Sequence, residues 1–414
     1  MKLPDWTGNL NPAGQKVFVT DEMIHELLGR TEDAQREADK KKRQISEEEW
    51  RRLRVRAKRD LFFLCYGVLG NNRLSVDLHG DLCTKIYTSS YTHRFREFLL
   101  ARGNFKSTII TIGHSIQVVL PYDAEDAKYD DDPNPLSWPD SLGTDCRLLI
   151  AHETHESAAR FLYAITNHFT TNPLLMALFP EAVPSARKNR INKWELELPR
   201  TITGNPEPTI DTLGVGGKSQ GRHYNYIKLD DIYGDKARDS EAESATTKQW
   251  FDNIQSFFST FNKDRLDLIG TRYSFDDIYA HAHEMYGNQL FKYIRKIEED
   301  DLSLPPVIDP KDGKLKPQKR ITFPEEFTKE SLEILKKNKK VYNSQYLNDP
   351  DENSLGFDQS WWREYYWIDQ FRIAIFTGRS REVISVRDLD ICFLIDPGEE
   401  KTGGFVVTGM DWKR

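Results

Sequence analysis

"LLARGNFKSTIITIG", residues 99–113, is the stretch on which the reading of the fold turns. An apolar strand enters a short polar turn and leaves it as an apolar helix, with Lys106 and Ser107 at the start of that helix. Backbone N–H groups at such a junction converge on an anion, and the helix N-terminus favours negative charge. There Lys106 would pair with the β and γ phosphates of a nucleotide, and Ser107 would ligate Mg2+. The stretch departs from GxxxxGK[ST] twice: Leu100 stands where the first glycine belongs and Phe105 where the second does. Taken alone, it reads equally well as a basic residue capping an αβ junction. Phe105 either imposes a different backbone path on the loop or packs beneath it.

Outward from this stretch, short apolar strands alternate with helical patterns: "REFLLA", "CRLLIA" before "HESAARFLYAITNHF", "YNYIKLDDI" before "SEAESATTKQWFDNIQSFFST", and "DRLDLIGTR". That alternation predicts a mostly parallel sheet with helices on both faces, whose ligands bind at the carboxyl ends of the strands. Upstream, residues 21–30 read as a short helix. Residues 31–60 carry mixed charges at helical spacing, expected of a solvated peripheral arm. "DLSLPPVIDPKDGKLKPQKR", residues 301–320, has linker composition, and the strands "FRIAIFT" and "LDICFLID" follow it.

The bulk numbers suit a folded chain: 414 residues, 38% hydrophobic and 30% charged. No apolar run approaches a membrane span, and "MKLPDWTGNL" lacks the apolar core of a signal peptide, so an intracellular protein with no membrane association is expected. The four cysteines are scattered, which predicts reduced, buried thiols rather than a zinc site or a disulfide framework. A net charge of −7 argues against a protein basic all over but leaves room for a local basic groove.

Three further features point at the same chemistry. "YIKLDD" is an apolar strand ending in paired acids, which a phosphate-loop ATPase needs on the neighbouring strand. Asp230 would hold the water shell of Mg2+, and Asp231 would polarise the attacking water; the same residues also read as a strand followed by an acidic turn. "LIGTR" is another strand ending in small and polar residues, either a place where Thr271 or Arg272 would sense the γ phosphate or an ordinary strand end with a turn. "LGVGGKSQGRHYNY" packs glycines around Lys218 and Arg222, a basic loop suited to phosphates of ATP or of DNA, or to a flexible hairpin turn.

The loop, the acid pair and "IGTR" in this order, with "YNSQYLNDP" and "FLIDPG", resemble the large terminase subunit of tailed bacteriophages. That family packages viral DNA into a preformed capsid, and its loops frequently read R-G-x-x-K-[ST], with an arginine where Arg102 stands here. The resemblance implies an ASCE-type P-loop ATPase at residues 60–300, after a charged helical arm at 1–59. A linker and subdomain follow at 301–384, and the start of an RNase H-like nuclease domain, incomplete here, at 385–414.

Carried over by position, Arg102, Gly103, Asn104, Phe105, Lys106, Ser107 and Thr108 match the ATP-binding loop, with Arg102 also acting in catalysis. Asp230 and Asp231 match the acidic motif, and Gly270, Thr271 and Arg272 the motif that couples hydrolysis to movement. Arg222 is the candidate to act on a neighbouring subunit's nucleotide, with Lys218 and Arg238 as rivals. Asp396 would be the first carboxylate of the nuclease metal site, which takes Mg2+ or Mn2+; Asp411 has no assigned part.

The resemblance further implies double-stranded DNA, the portal protein of the procapsid and a small terminase subunit as partners. It implies a homo-oligomeric ring, pentameric on the portal, and work in the host cytoplasm and at the portal vertex. Two other expectations stay open: a helicase-like or other DNA-remodelling P-loop ATPase, and a packaging component that binds nucleotide or DNA without hydrolysis.

Overall fold

The computed structural model describes residues 47–130, 138–202, 204–217, 221–308 and 314–350, and strand segments at 9–10, 16–17, 365–370, 372–377, 380–385, 390–396 and 404–410. The chain divides into two compact units, Met1–Asp351 and Glu352–Arg414.

The first unit is built on one seven-stranded sheet. Its strands are β1 Phe95–Leu100, β2 Leu148–His152, β3 Glu195–Leu196, β4 Ile210–Gly214, β5 Tyr226–Asp230, β6 Arg265–Gly270 and β7 Leu290–Arg295. They lie in the order β3-β4-β2-β5-β6-β1-β7, all parallel except β3, which runs antiparallel to β4. The mostly parallel α/β architecture expected from the alternation is therefore present. One detail differs: the acidic strand β5 is not next to the loop strand β1, because β6 lies between them. Leu99 pairs with Gly270 and Ile269 with Asp230, so all three strands end at one level.

Alternation along the strands decides which layer each side chain joins. Phe98, Leu100, Leu148, Ile150 and Tyr226 face a core shared with α1 (Glu47–Arg59), α2 (Asp81–Ser90) and α4 (His155–Thr171). The helix at 107–119, a π-helical turn Ser107–Gly113 continued by α3 (His114–Val119), packs on this face too. Leu99, Leu149, Ile227, Leu229 and Leu268 point the other way, against α5 (Glu241–Asp252) and α6 (Ile278–Tyr286). A fully buried side chain of this kind contributes about 1.5–3 kcal/mol.

The charged helix α1 is not the solvated arm its composition predicts. Three glutamates open it and Arg56, Lys58 and Arg59 close it, which suits the helix dipole. Its last turns, however, are core. Lys58 is fully buried and donates to the carbonyls of Gln117 at 2.7 Å and Leu120 at 2.6 Å, capping the end of α3. Arg54 pairs with the buried Asp126 at 2.8 Å. The sequence shows the charges but not that a ring of carbonyls and acids waits for them. The short helix expected at 21–30 lies outside the described residues.

The described residues of the stretch read as linker, 301–308 and 314–320, are mostly exposed, and buried packing resumes after them. Phe323 belongs to the core that covers β1, and Leu332, on α7 (Lys329–Leu335), packs with Tyr342 and Ile297. The second unit holds an antiparallel meander, Tyr365–Asp369, Arg372–Thr377 and Ser380–Ser385, and a strand pair, Asp390–Asp396 with Gly404–Met410. Cys65, Cys83 and Cys146 are free and buried, as expected. Among the described residues, no helix is long and apolar enough to cross a membrane.

Candidate functional site

The carboxyl ends of β1, β5 and β6 converge on one group of side chains. Beyond β1 the chain makes a tight turn, closed by the amide of Asn104 donating to the carbonyl of Ala101 at 3.2 Å. Gly103 lies at φ 90°, where a side chain would be strained, and a Cβ there would come within 2.9 Å of the Phe327 ring. Lys106 then opens the helix, and its Nζ lies 3.7 Å from Oδ2 of Asp231 at the end of β5. Asp230, fully buried, accepts a hydrogen bond from Thr111 Oγ1 at 2.5 Å, one helical turn beyond Ser107.

Backbone strain gathers here. Among the described residues, the only non-glycine residues at positive φ are Phe105 (49°), Asp231 (45°) and Asn348 (50°). Such conformations cost about 1–3 kcal/mol each and persist where the surroundings hold them. Phe105 shows why its glycine is missing. The left-handed backbone turns its ring out of the loop to meet His79 and Phe323, each 5.9 Å away, with the Arg73 guanidinium 5.0 Å above it. Arg73 is fixed by Glu326 at 2.7 Å, and His79 Nε2 lies 3.3 Å from the Asn104 carbonyl. Phe105 thus both changes the backbone path and packs beneath the loop.

Some of the polar atoms without a hydrogen-bond partner among the described residues lie here. Both side-chain polar atoms of buried Asn104, Oδ1 of Asp230 and Oδ1 of Asp231 lack a hydrogen-bond partner. A buried polar group without a partner costs about 1–3 kcal/mol. Burial and the neighbouring Asp231 carboxylate push Asp230 up to about 7; Lys106 and the hydroxyls of Thr111 and Ser107 pull the other way. Gly270 is required by close approach: a Cβ there would collide with the hydroxyl of buried Tyr279 and stand 2.9 Å from Asp231 Oδ1.

The other candidates fall into place unevenly. Ser107 and Thr108 are half-buried at the start of the helix, and Thr271 is buried at the end of β6. Arg272 is neutralised by Asp277 at 2.8 Å, so its charge is already occupied. Arg222 is not brought to this site. It pairs with Asp211 at 2.5 Å and lies 3.5 Å from Glu195, near the amino end of β4. Arg238, which follows β5 at the carboxyl end, pairs with Asp235 and Asp239. Lys218 and Asp411 lie outside the described residues. Asp396 closes its strand opposite Gly404, in the second unit.

Beneath the loop helix lies a feature that the sequence reading missed. Arg96 on β1, Asp267 on β6 and Lys228 on β5 stand in one register row across three adjacent strands, all fully buried. Asp267 is 2.8 Å from Arg96 and 3.4 Å from Lys228. Asp140 joins Arg96 at 3.0 Å and His114 at 3.1 Å, while Lys228 donates to the Ile110 carbonyl inside the π-helical turn at 2.5 Å. The paired cations hold Asp267 well below the usual carboxylate range against its burial. A charge in the middle of each of three apolar strands was the available signal.

No protein-family model matches the chain, and no curated protein proved similar to it.

Proposed function

We propose that the chain is the ATP-hydrolysing part of a viral DNA-packaging motor of the large-terminase type. The observation that carries the ATPase reading is the meeting of three strand ends: Lys106 after β1, the strained Asp230–Asp231 pair after β5, and Gly270, which leaves room for Asp231, after β6. The order in which β6 separates the loop strand from the acidic strand supports the ASCE-type P-loop assignment.

The residues fit a magnesium-bound nucleotide. Asp230, with one oxygen unpartnered, and the Ser107 hydroxyl are the groups that would hold Mg2+. Among the described residues no group of three or more His, Cys, Asp or Glu could hold a metal. A site made of one carboxylate, one hydroxyl, phosphate oxygens and water is the kind Mg2+ accepts. When bound, Mg2+ neutralises charge on the β and γ phosphates. Arg102 and Lys106 bind the phosphates, and Lys106 leaves Asp231 to do so. Asp231 then takes the proton of the water that attacks the γ phosphorus, giving ADP, phosphate and a released proton.

DNA translocation, the portal and small-subunit partners, the five-membered ring and the nuclease around Asp396 rest on the resemblance carried by the loop, the acid pair and "IGTR" in this order with "YNSQYLNDP" and "FLIDPG". The test is ATP hydrolysis by the full chain with and without double-stranded DNA. Stimulation by duplex DNA, abolished by Lys106→Ala, is expected. Stimulation only by single strands with unwinding would replace the packaging reading by the helicase-like one, and nucleotide binding without turnover would replace it by the non-hydrolysing one.

A further inference from the structure

The backbone and side chains of "YNSQYLNDP", residues 342–350, hold the site's strand ends together. Its first residues form a π-helical turn, Tyr342–Tyr346, and Asn348 follows at φ 50°. The Gln345 carbonyl accepts from the Arg102 amide at 3.0 Å, and Gln345 Oε1 accepts from Arg102 Nη1 at 2.8 Å. Asn348 Oδ1 accepts from the Arg272 amide at 3.2 Å, and its Nδ2 donates to the Arg295 carbonyl at 3.0 Å. The Tyr346 carbonyl accepts from the Ile297 amide at 2.8 Å. One segment of seven residues therefore bonds the chain just beyond β1, β6 and β7.

The chemistry of the Arg102 contact is informative. Gln345 is neutral and buried, and among the described residues Arg102 has no acidic partner, although its side chain is exposed beside the loop. An amide oxygen fixes a guanidinium without cancelling its charge and leaves most of its five N–H donors for an anion. A carboxylate at position 345 would fix it equally well and neutralise it. The strained Asn348 is a second, independent sign that this segment is held for more than packing.

Resting on the ATPase reading above, we infer that residues 342–348 form a nucleotide-sensing strap in which Gln345 is the positioning residue for Arg102. Through the strap, a phosphate bound by Arg102 is felt at the ends of β6 and β7. Arg102 bends toward the phosphate, its bond to Gln345 tightens or breaks, and Asn348 carries the shift to Arg272 and Arg295.

The test compares Gln345→Ala, Gln345→Glu, Arg102→Ala and the Arg102→Ala/Gln345→Ala double variant in the full chain, by ATPase kinetics and by the ATP-induced rise in Tm over each variant's own apo value. Gln345→Ala is expected to lower kcat roughly tenfold, and the double variant to be no worse than Arg102→Ala alone. Gln345→Glu is expected to fold like the parent but to raise KM for ATP roughly tenfold, because the ion pair competes with phosphate. Hydrogen exchange of the Arg102, Arg272 and Ile297 amides, which donate into the strap, is expected to change together when ATP is added. Equal apo Tm losses in the two Gln345 variants with an unchanged ATP response, additive kinetics, or no joint exchange response would overturn the strap. A wild-type chain that binds no ATP would instead remove the ATPase reading beneath it.

Discussion

Nζ of Lys106 stands 3.7 Å from Oδ2 of Asp231, too far for a hydrogen bond and close enough for strong attraction. On the proposed ATPase reading, the phosphate-binding cation and the water-activating carboxylate would thus occupy each other until a nucleotide separates them. Asp231→Asn is expected to bind ATP at least as tightly as the parent while hydrolysing it roughly 100-fold or more slowly. Lys106→Ala is expected to lose binding itself. Fluorescent-nucleotide titration with single-turnover hydrolysis separates the two, and a slow Asp231→Asn variant that also binds poorly would count against this division of roles.

Asp230 makes the site pH-dependent. Burial and Asp231 raise its carboxyl from 3.8 in the unfolded chain to about 7 in the folded one. The folded state therefore holds the proton more tightly, and the stability this gives is fully present below about pH 4 and lost as pH rises through about 7. Asp230→Asn, which cannot ionise, is expected to be more stable than the parent at about pH 8, by a few kcal/mol at most, and nearly equal to it at about pH 4. Urea melts without Mg2+ at the two values check this. Affinity for Mg2+ with ATP should run the other way, rising through about pH 7.

Thr111 supports the Asp230 carboxylate, the proposed Mg2+ ligand, from the loop's own helix. Thr111→Val keeps the shape and removes the hydroxyl, leaving an oxygen of buried Asp230 without its donor. The Mg2+ concentration for half-maximal ATPase activity should rise roughly 10-fold, as for other groups that orient a metal ligand. An unchanged Mg2+ titration would assign Thr111 to packing.

The row Arg96–Asp267–Lys228 predicts a stability effect remote from the chemistry. Asp267→Asn removes the shared anion and leaves two buried cations, Arg96 keeping Asp140 and Lys228 losing its nearest carboxylate. Breaking a buried pair in this way costs roughly 3–5 kcal/mol, readable as a lowered urea midpoint. A loss below about 1 kcal/mol would mean that the row is not under electrostatic tension.

The sequence made the strands and the three site-bearing ends legible because each combined an apolar run with a polar terminus, and β1, β5 and β6 lie where the alternation placed them. It did not make their order legible, since nothing in "YIKLDD" says that "RLDLIG" intervenes between it and "REFLLA". The burial of Lys58 was hidden for a related reason. It depends on partners distant in the chain, and local composition alone reads as a solvated arm. Gln345 and Asn348 stand within "YNSQYLNDP", but nothing in that stretch shows their bonds to Arg102 and Arg272, which the fold alone creates.

The row of charges under residues 107–119 also limits what can move. Tilting that helix would pull the Ile110 carbonyl off Lys228 and His114 off Asp140, stranding ions where no water can answer for them. The helix behaves as an anvil rather than a lever. Residues 342–348 stand outside that row, bonded instead to Arg102 and to the amide of Arg272.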